Sequence, residues 1–318
     1  MSNLTVSLSP HVRAQSSTRR IMLDVLIALI PAVVFAVYWF GFSVLVTILL
    51  SMAAAIGSEA LMQKALRRPI TVDDGSAAVT GLLLALTLPA GVPWYVPVLG
   101  AAFAIVIAKQ VFGGLGDNFV NPALAGRAFL LASFPVAMTT FPAVADAVSS
   151  ATPLSSEFAG TVDYAQAFLG RIGGSIGEVS KLALLAGAAY LLVRRVIDWR
   201  VPVSYLGTLA VLNLAFGEPV LDSVLLGGTV LGAFFMATDY VTSPVSRKGQ
   251  VIFGIGCGLI TVFIRYFGSY SEGVCYAILV MNLTVWIIDK HTKPSRFGVV
   301  REYRKRKEPK EEKEAAAK

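Results

Sequence analysis

The stretch Ile21-Met-Leu-Asp-Val-Leu-Ile-Ala-Leu-Ile-Pro-Ala-Val-Val-Phe-Ala-Val-Tyr-Trp39 holds a single charged residue, Asp24, in nineteen positions. A helix rises 1.5 Å per residue, so about 20 mostly apolar residues cross a hydrocarbon core about 30 Å thick. This stretch is long enough to span. No small-residue cleavage site follows a short apolar core, so a cleavable leader is not expected. Nine more apolar stretches follow, some of them short: 42–61, 77–88, 96–111, 123–136, 179–193, 202–216, 221–237, 251–267 and 273–288. The pattern predicts an all-α integral membrane protein with about ten transmembrane helices.

Composition agrees. Of 318 residues, 55% are hydrophobic and 15% are charged, against about 25% charged in soluble domains. Two cysteines exclude a disulfide scaffold and a complete four-thiolate iron–sulfur site within the chain. The two histidines, His11 and His291, lie in polar terminal segments. They exclude a bis-histidine haem in the apolar core, and no metal site is expected. The formal net charge is +7, and residues 290–318 account for +6 of it. Such a run can mark nucleic-acid binding. After a last membrane helix it marks a retained cytoplasmic tail, and no nucleic acid is expected.

Smaller basic clusters orient the chain. Arg13, Arg19 and Arg20 precede the first span. Lys64, Arg67 and Arg68 follow the second, Arg194, Arg195 and Arg200 the sixth, and Arg247 and Lys248 the eighth. With ten spans these all fall on one side, the cytoplasm. Both termini are then cytoplasmic, in a bacterial inner membrane, and the long loop after the fifth span is outside. The expected organisation is a cytoplasmic segment 1–20, a five-helix half 21–136, an outer loop 137–178, a second five-helix half 179–289 and the basic tail 290–318. Five is odd, so the halves run in opposite directions, which is the arithmetic of two inverted repeats.

The outer loop carries Asp146-Ala-Val-Ser149-Ser-Ala151-Thr152-Pro153. It offers a small hydroxyl flanked by small residues, with an acid six positions earlier. The order resembles the flavinylation sequence Asp-x-x-Ser/Thr-Gly-Ala-Thr/Ser, in which a flavin transferase joins the phosphate of FMN to the last residue. Asp146, Ser149, Ala151 and Thr152 match, and Ser150 stands where glycine is usual. An ordinary Ser/Thr/Ala-rich loop is the plain alternative for this motif taken alone.

Further blocks extend the likeness. Asp74-Gly-Ser-Ala-Ala-Val-Thr-Gly leading to Pro89, Lys109-Gln-Val-Phe-Gly-Gly-Leu-Gly-Asp-Asn118, Asn121-Pro-Ala-Leu-Ala-Gly-Arg127, Gly174-Ser-Ile-Gly-Glu178 and Phe235-Met-Ala-Thr-Asp239 occur in one order. Together they resemble the RnfD/NqrB family, membrane subunits of ion-translocating ferredoxin:NAD and NADH:quinone oxidoreductases, from about the first helix to the tenth. The short N-terminus favours the Rnf side. The resemblance implies covalent FMN on Thr152 and a second, non-covalent flavin, riboflavin, nearer the cytoplasm. It implies a subunit of an enzyme, not a complete catalyst, whose partners are RnfG outside, RnfA and RnfE in the membrane, RnfB and RnfC inside, and a flavin transferase. Electrons would pass from RnfG through the FMN and riboflavin toward RnfB, coupled to Na⁺ or H⁺ movement. Two centres suit the geometry, because about 30 Å is long for one electron hop.

Other residues are candidates around the flavins. Gly173, Gly174, Ser175 and Glu178 precede the sixth span, where glycines allow close backbone approach and a helix N-terminus favours phosphate. They are expected near the FMN. Asn118 and Asn121 offer donors and acceptors for the polar edge of a flavin ring. Arg127, about one turn into the fifth helix, is a further flavin-binding candidate expected to face the interior; an ion pair with Asp74 or Asp239 and no ligand is the plain alternative. Those two acids are also candidates for an ion path. Cys257 and Cys275 are expected to be buried without a redox role. The competing function is a solute transporter or channel, which an inverted-repeat fold with polar residues near the midplane serves equally well.

Overall fold

The computed structural model describes residues 17–142, 149–150, 164–169, 174–178, 180–217, 219–268 and 273–293. Among these the protein is helical apart from a two-residue antiparallel pairing of Phe141–Pro142 with Ser149–Ser150. The main helices are α1 (Thr18–Phe40), α2 (Phe42–Ala65), α3 (Ser76–Leu86), α4 (Tyr95–Ile105), α5 (Pro122–Ser133), α6 (Lys181–Val193), α7 (Arg200–Phe216), α8 (Val220–Leu225), α9 (Thr229–Leu231), α10 (Arg247–Phe267) and α11 (Val274–Thr292). Local chemistry sets several starts. Ser17, Ser180 and Ser246 cap α1, α6 and α10 with their hydroxyls. Asn121 caps α5 and places Pro122 in its first turn, where the missing N–H costs no hydrogen bond.

Four helices, α1, α2, α10 and α11, are long and apolar enough to cross a membrane. The other expected spans are shorter. The expected stretch 221–237 is divided: α8 ends at Leu225, residues 226–228 are not helical, and α9 runs into a π-helical turn, Gly232–Met236. A second π turn, Val106–Gln110, prolongs α4. Both π turns are signed by an i→i+5 bond, Val111 N–H to the Val106 carbonyl at 3.1 Å and Ala237 N–H to the Gly232 carbonyl at 2.7 Å.

Packing follows a pattern. α2 packs on α3 and α4, and α4 packs on α5; α7 packs on α8 and α10, and α10 packs on α11. α1 packs on α6, and α5 on α11. The contacts are made through small residues, as in membrane bundles generally. A side chain at Gly187 of α6 would overlap the Ala28 carbonyl of α1, and one at Gly254 of α10 would overlap the Ser204 hydroxyl of α7. Apolar side chains lie on the outside: Leu23, Ile30, Val34, Leu49, Leu259 and Leu283 are all exposed. A water-soluble protein rarely shows that much apolar surface, whereas lipid favours it.

Backbone approach at Gly187 generates a prediction. Gly187→Val should lower the thermal stability of the detergent-solubilised protein by about 1–3 kcal/mol or more through overpacking, while Gly207→Val, which meets nothing within 4 Å, should change it far less. Thermal unfolding of the two variants side by side checks this.

Candidate functional site

A cleft opens between α1, α3, α4, the residues before α5, the end of α6 and the segment after α9. Its empty volume, counted to the open mouth, is about 750 Å³. Apolar walls come from Met22, Val79, Leu83, Leu191, Phe234 and Phe235, and polar groups from Ser76, Thr80, Lys109, Asn118, Asn121, Thr238 and Asp239. Both π turns contribute: Lys109 comes from one, Phe234 and Phe235 from the other. A π turn inserts one extra residue and so re-aims the side chains around it, which is why such turns recur at functional sites.

The deepest charges of the cleft wall form a network. Lys109 and Glu59 are each only 1% exposed. Their ammonium and carboxylate meet at 2.7 Å. The Lys109 ammonium also donates to the Ser76 hydroxyl at 2.6 Å, and that hydroxyl donates to Asp74 at 2.6 Å. Gln110 donates to the same Glu59 oxygen, Oε1, at 2.7 Å, while Glu59 Oε2 is buried with no hydrogen-bond partner. Asp239 lies two residues beyond the expected eighth span. It accepts from the Thr242 hydroxyl at 2.9 Å. Burial pushes its carboxyl above the usual carboxylate range; the bonds from Thr242 and from the Val241 and Tyr240 amides, and the Lys109 charge, act the other way.

The expected flavin-edge residues divide. Asn118 lines the cleft, donates to the Val120 carbonyl at 3.1 Å, and leaves its own Oδ1 buried without a partner. Asn121 is more fully used by the fold. Its Oδ1 caps α5, and its amide donates to the Met236 carbonyl at 3.2 Å. Arg127 lies outside the cleft lining: it turns to the end of α3, where its guanidinium donates to the Thr87 carbonyl. Its expected partners are engaged elsewhere, Asp74 by Ser76 and Asp239 by Thr242. The reason is position. Thr87 ends a helix of eleven residues, too short to cross, and its carbonyl meets Arg127 inside the bundle.

The segment 174–178 lies against that same broken end. Pro89 and Ser175 form an isolated antiparallel bridge, and Ile176 N–H donates to the Leu88 carbonyl at 2.8 Å. Gly174, Ser175 and Glu178 are buried, and Ser175 Oγ and Glu178 Oε1 have no hydrogen-bond partner. Thr152, Asp146, Ala151 and Gly173 lie outside the described residues; Ser149 enters only through its backbone pairing with Pro142. Cys257 and Cys275 are buried, as expected. Glu59 and Phe234 were not among the sequence candidates, and Lys109 entered only as the first residue of a family block. Their signal in sequence is slight: an acid near the end of an apolar helix and an aromatic in an apolar run.

A family model described as the NQR2, RnfD, RnfE family matches residues 5–298. The chain belongs to this family. It is 49% identical over 308 residues to the D subunit of the Na⁺-translocating ferredoxin:NAD⁺ oxidoreductase complex of Acetobacterium woodii, covering 94% of this chain and 96% of that protein. It is 45% identical over 321 residues to the D subunit of the proton-translocating ferredoxin:NAD⁺ oxidoreductase complex of Clostridium ljungdahlii, covering 93% and 97%. The D subunit of the ion-translocating oxidoreductase complex of Escherichia fergusonii is 38% identical over 344 residues, covering 92% and 98%.

The buried pair generates a prediction within this family member. Glu59→Leu alone leaves Lys109 without its carboxylate and should cost about 3–5 kcal/mol, while the double variant Glu59→Leu/Lys109→Met should recover most of that loss. Thermal unfolding in detergent measures both; equal stability of the single and double variants would show that the two side chains are not coupled.

Proposed function

We propose that the chain is the membrane-embedded D subunit of an ion-translocating ferredoxin:NAD oxidoreductase complex, carrying covalent FMN on Thr152 and a second flavin, riboflavin, in the cleft beside Lys109. The observation that carries the complex is the 49% and 45% identity, over nearly the whole of both chains, to two proteins named as that subunit. As one subunit, it works with others: RnfG outside, RnfA and RnfE in the membrane, RnfB and RnfC inside, with a flavin transferase loading Thr152.

In this reading ten segments cross the bacterial inner membrane as two inverted halves. The packing pattern supports it, because α2 on α3 and α4, with α4 on α5, is repeated by α7 on α8 and α10, with α10 on α11, and α1 meets α6 between the halves. The short α3 and the divided α8–α9 pair occupy matching places. Discontinuous helices at corresponding positions are what inverted-repeat membrane proteins use around their sites. The basic clusters after α2 and α6 and before α10 support a cleft on the cytoplasmic side and residue 152 outside.

The cleft fits a flavin ring on two observations. Asn118 Oδ1 is a buried acceptor with no partner, and the imide N–H of the ring is a donor of the kind it lacks. Leu83, Phe234 and Phe235 give apolar walls. Flavin, when bound, supplies a ring that accepts and releases electrons. The residues of the chain would bind and orient it: Asn118 at the polar edge, the two phenylalanines and Leu83 excluding water, Lys109 offering a donor, and Thr80, whose hydroxyl donates to the Ser76 carbonyl, offering an acceptor.

Two measurements test this. Protein from cells that also make the flavin transferase should give a fluorescent band under ultraviolet light after denaturing electrophoresis, and Thr152→Ala should abolish it. A colourless wild-type band would favour the solute-permease reading instead. Acid extraction of the native protein should release riboflavin in addition, and Asn118→Leu should reduce the amount severalfold while leaving the covalent fluorescence in place.

A further inference from the structure

Among the described residues, Lys109, Arg127 and Lys181 are buried and Arg265 is half-buried, and all but Lys109 sit at the ends of broken helices. Arg127 donates to the Thr87 carbonyl. Lys181 donates to the Glu178 and Gly227 carbonyls at 2.7 and 3.2 Å. Arg265 donates to the Thr229 hydroxyl at 2.9 Å and to the Leu226 carbonyl at 3.4 Å. Lys109 differs. It lines the cleft, and its contacts are side chains: Glu59, Ser76 and, through Ser76, Asp74.

The arrangement has a direction. Lys109 is a lining residue of the cleft while Glu59 is not, so of the pair the lysine is the nearer to a molecule in the cleft. Ser76 gives its hydroxyl proton to Asp74 and therefore presents a lone pair to Lys109. Glu59 receives both Lys109 and Gln110 on Oε1. The ammonium is thus fixed by two groups, Glu59 and Ser76, which Gln110 and Asp74 hold in turn, in an environment from which water is largely excluded. There a single charge acts far more strongly than on a surface.

We propose that Lys109, held in place by Glu59 and Ser76, is the charge that sets the reduction potential of the flavin in this cleft, by stabilising its reduced form. This rests on the reading that the cleft holds a flavin. The balance is simple. A flavin ring that gains two electrons from the other carriers of the complex and one proton from the cytoplasmic mouth gains one net negative charge. The oxidised ring carries none. An ammonium at the wall binds the reduced form more tightly than the oxidised form, and only that difference raises the potential. Glu59 acts through Lys109 and is a positioning residue.

The test is a redox titration of the complex purified from cells that also make the flavin transferase. The covalent FMN serves as an internal reference. Lys109→Met should lower the potential of the non-covalent flavin by about 30 mV or more, which is a tenfold change in the ratio of reduced to oxidised affinity for a two-electron couple. Lys109→Arg should return it toward the wild-type value. Should Lys109→Met fold poorly, the double variant Glu59→Leu/Lys109→Met removes the buried charge mismatch and should still lower the potential, because the lost ammonium is the nearer charge. If a variant loses the flavin, titration with added riboflavin reads the same ratio from the oxidised and reduced affinities. An unchanged potential, an equal weakening of both forms, or an equal shift of both flavins would each overturn the proposal, the last by marking a purely structural role. A wild-type complex that releases no riboflavin would instead sink the cleft reading, and this proposal with it.

Discussion

A helix that stops inside an apolar bundle leaves backbone carbonyls and amides that only protein can satisfy, since lipid offers no hydrogen bonds. Much of this fold answers that constraint. α3 ends after eleven residues, and α8 ends at Leu225 before α9 begins. The carbonyls at these two ends receive Arg127, Lys181 and Arg265. Helix C-termini carry partial negative charge, so a cation there is favourable twice, as hydrogen-bond donor and as countercharge. The residues that would be most costly in a membrane therefore stabilise its least regular backbone. The amide side is met in the same manner. Ile176 N–H meets the Leu88 carbonyl, and Asn121 caps α5 while reaching the Met236 carbonyl at the end of the second π turn.

This explains what could be read from the residues and what could not. Apolar runs and basic clusters depend on local composition, so the helix positions emerge within a few residues: the expected 42–61, 202–216 and 251–267 are all contained in α2, α7 and α10. The division of 221–237 was not legible, because Leu226-Gly-Gly-Thr229 in an apolar run reads equally as a flexible helix. Cleft membership was only partly legible. Asn118 and Asp239 stand out as polar residues beside apolar stretches, and both line the cleft. Arg127 stands out equally and does not, because its direction depends on where α3 ends. Glu59 and Lys109 are fifty residues apart, and only the packing of α2 against α4 and its π turn joins them.

The same physics also bears on the choice between a redox protein and a permease. Broken helices, buried cations and a cleft at one face are shared by both classes, so fold alone does not separate them. The content of the cleft discriminates better. Phe234 and Phe235 of the second π turn and the aliphatic Val79 and Leu83 of α3 all line it. A path for a hydrated ion or a polar solute would need polar groups along its length to replace lost water contacts. A planar ring with one polar edge needs apolar faces and a few donors and acceptors, and the lining offers both, Asn118, Lys109 and Thr80 among the polar groups. The chemistry of its lining therefore suits a bound flat ligand better than a through-path. An apolar pair of similar size would hold α2 to α4 at least as well as the Lys109–Glu59 pair does.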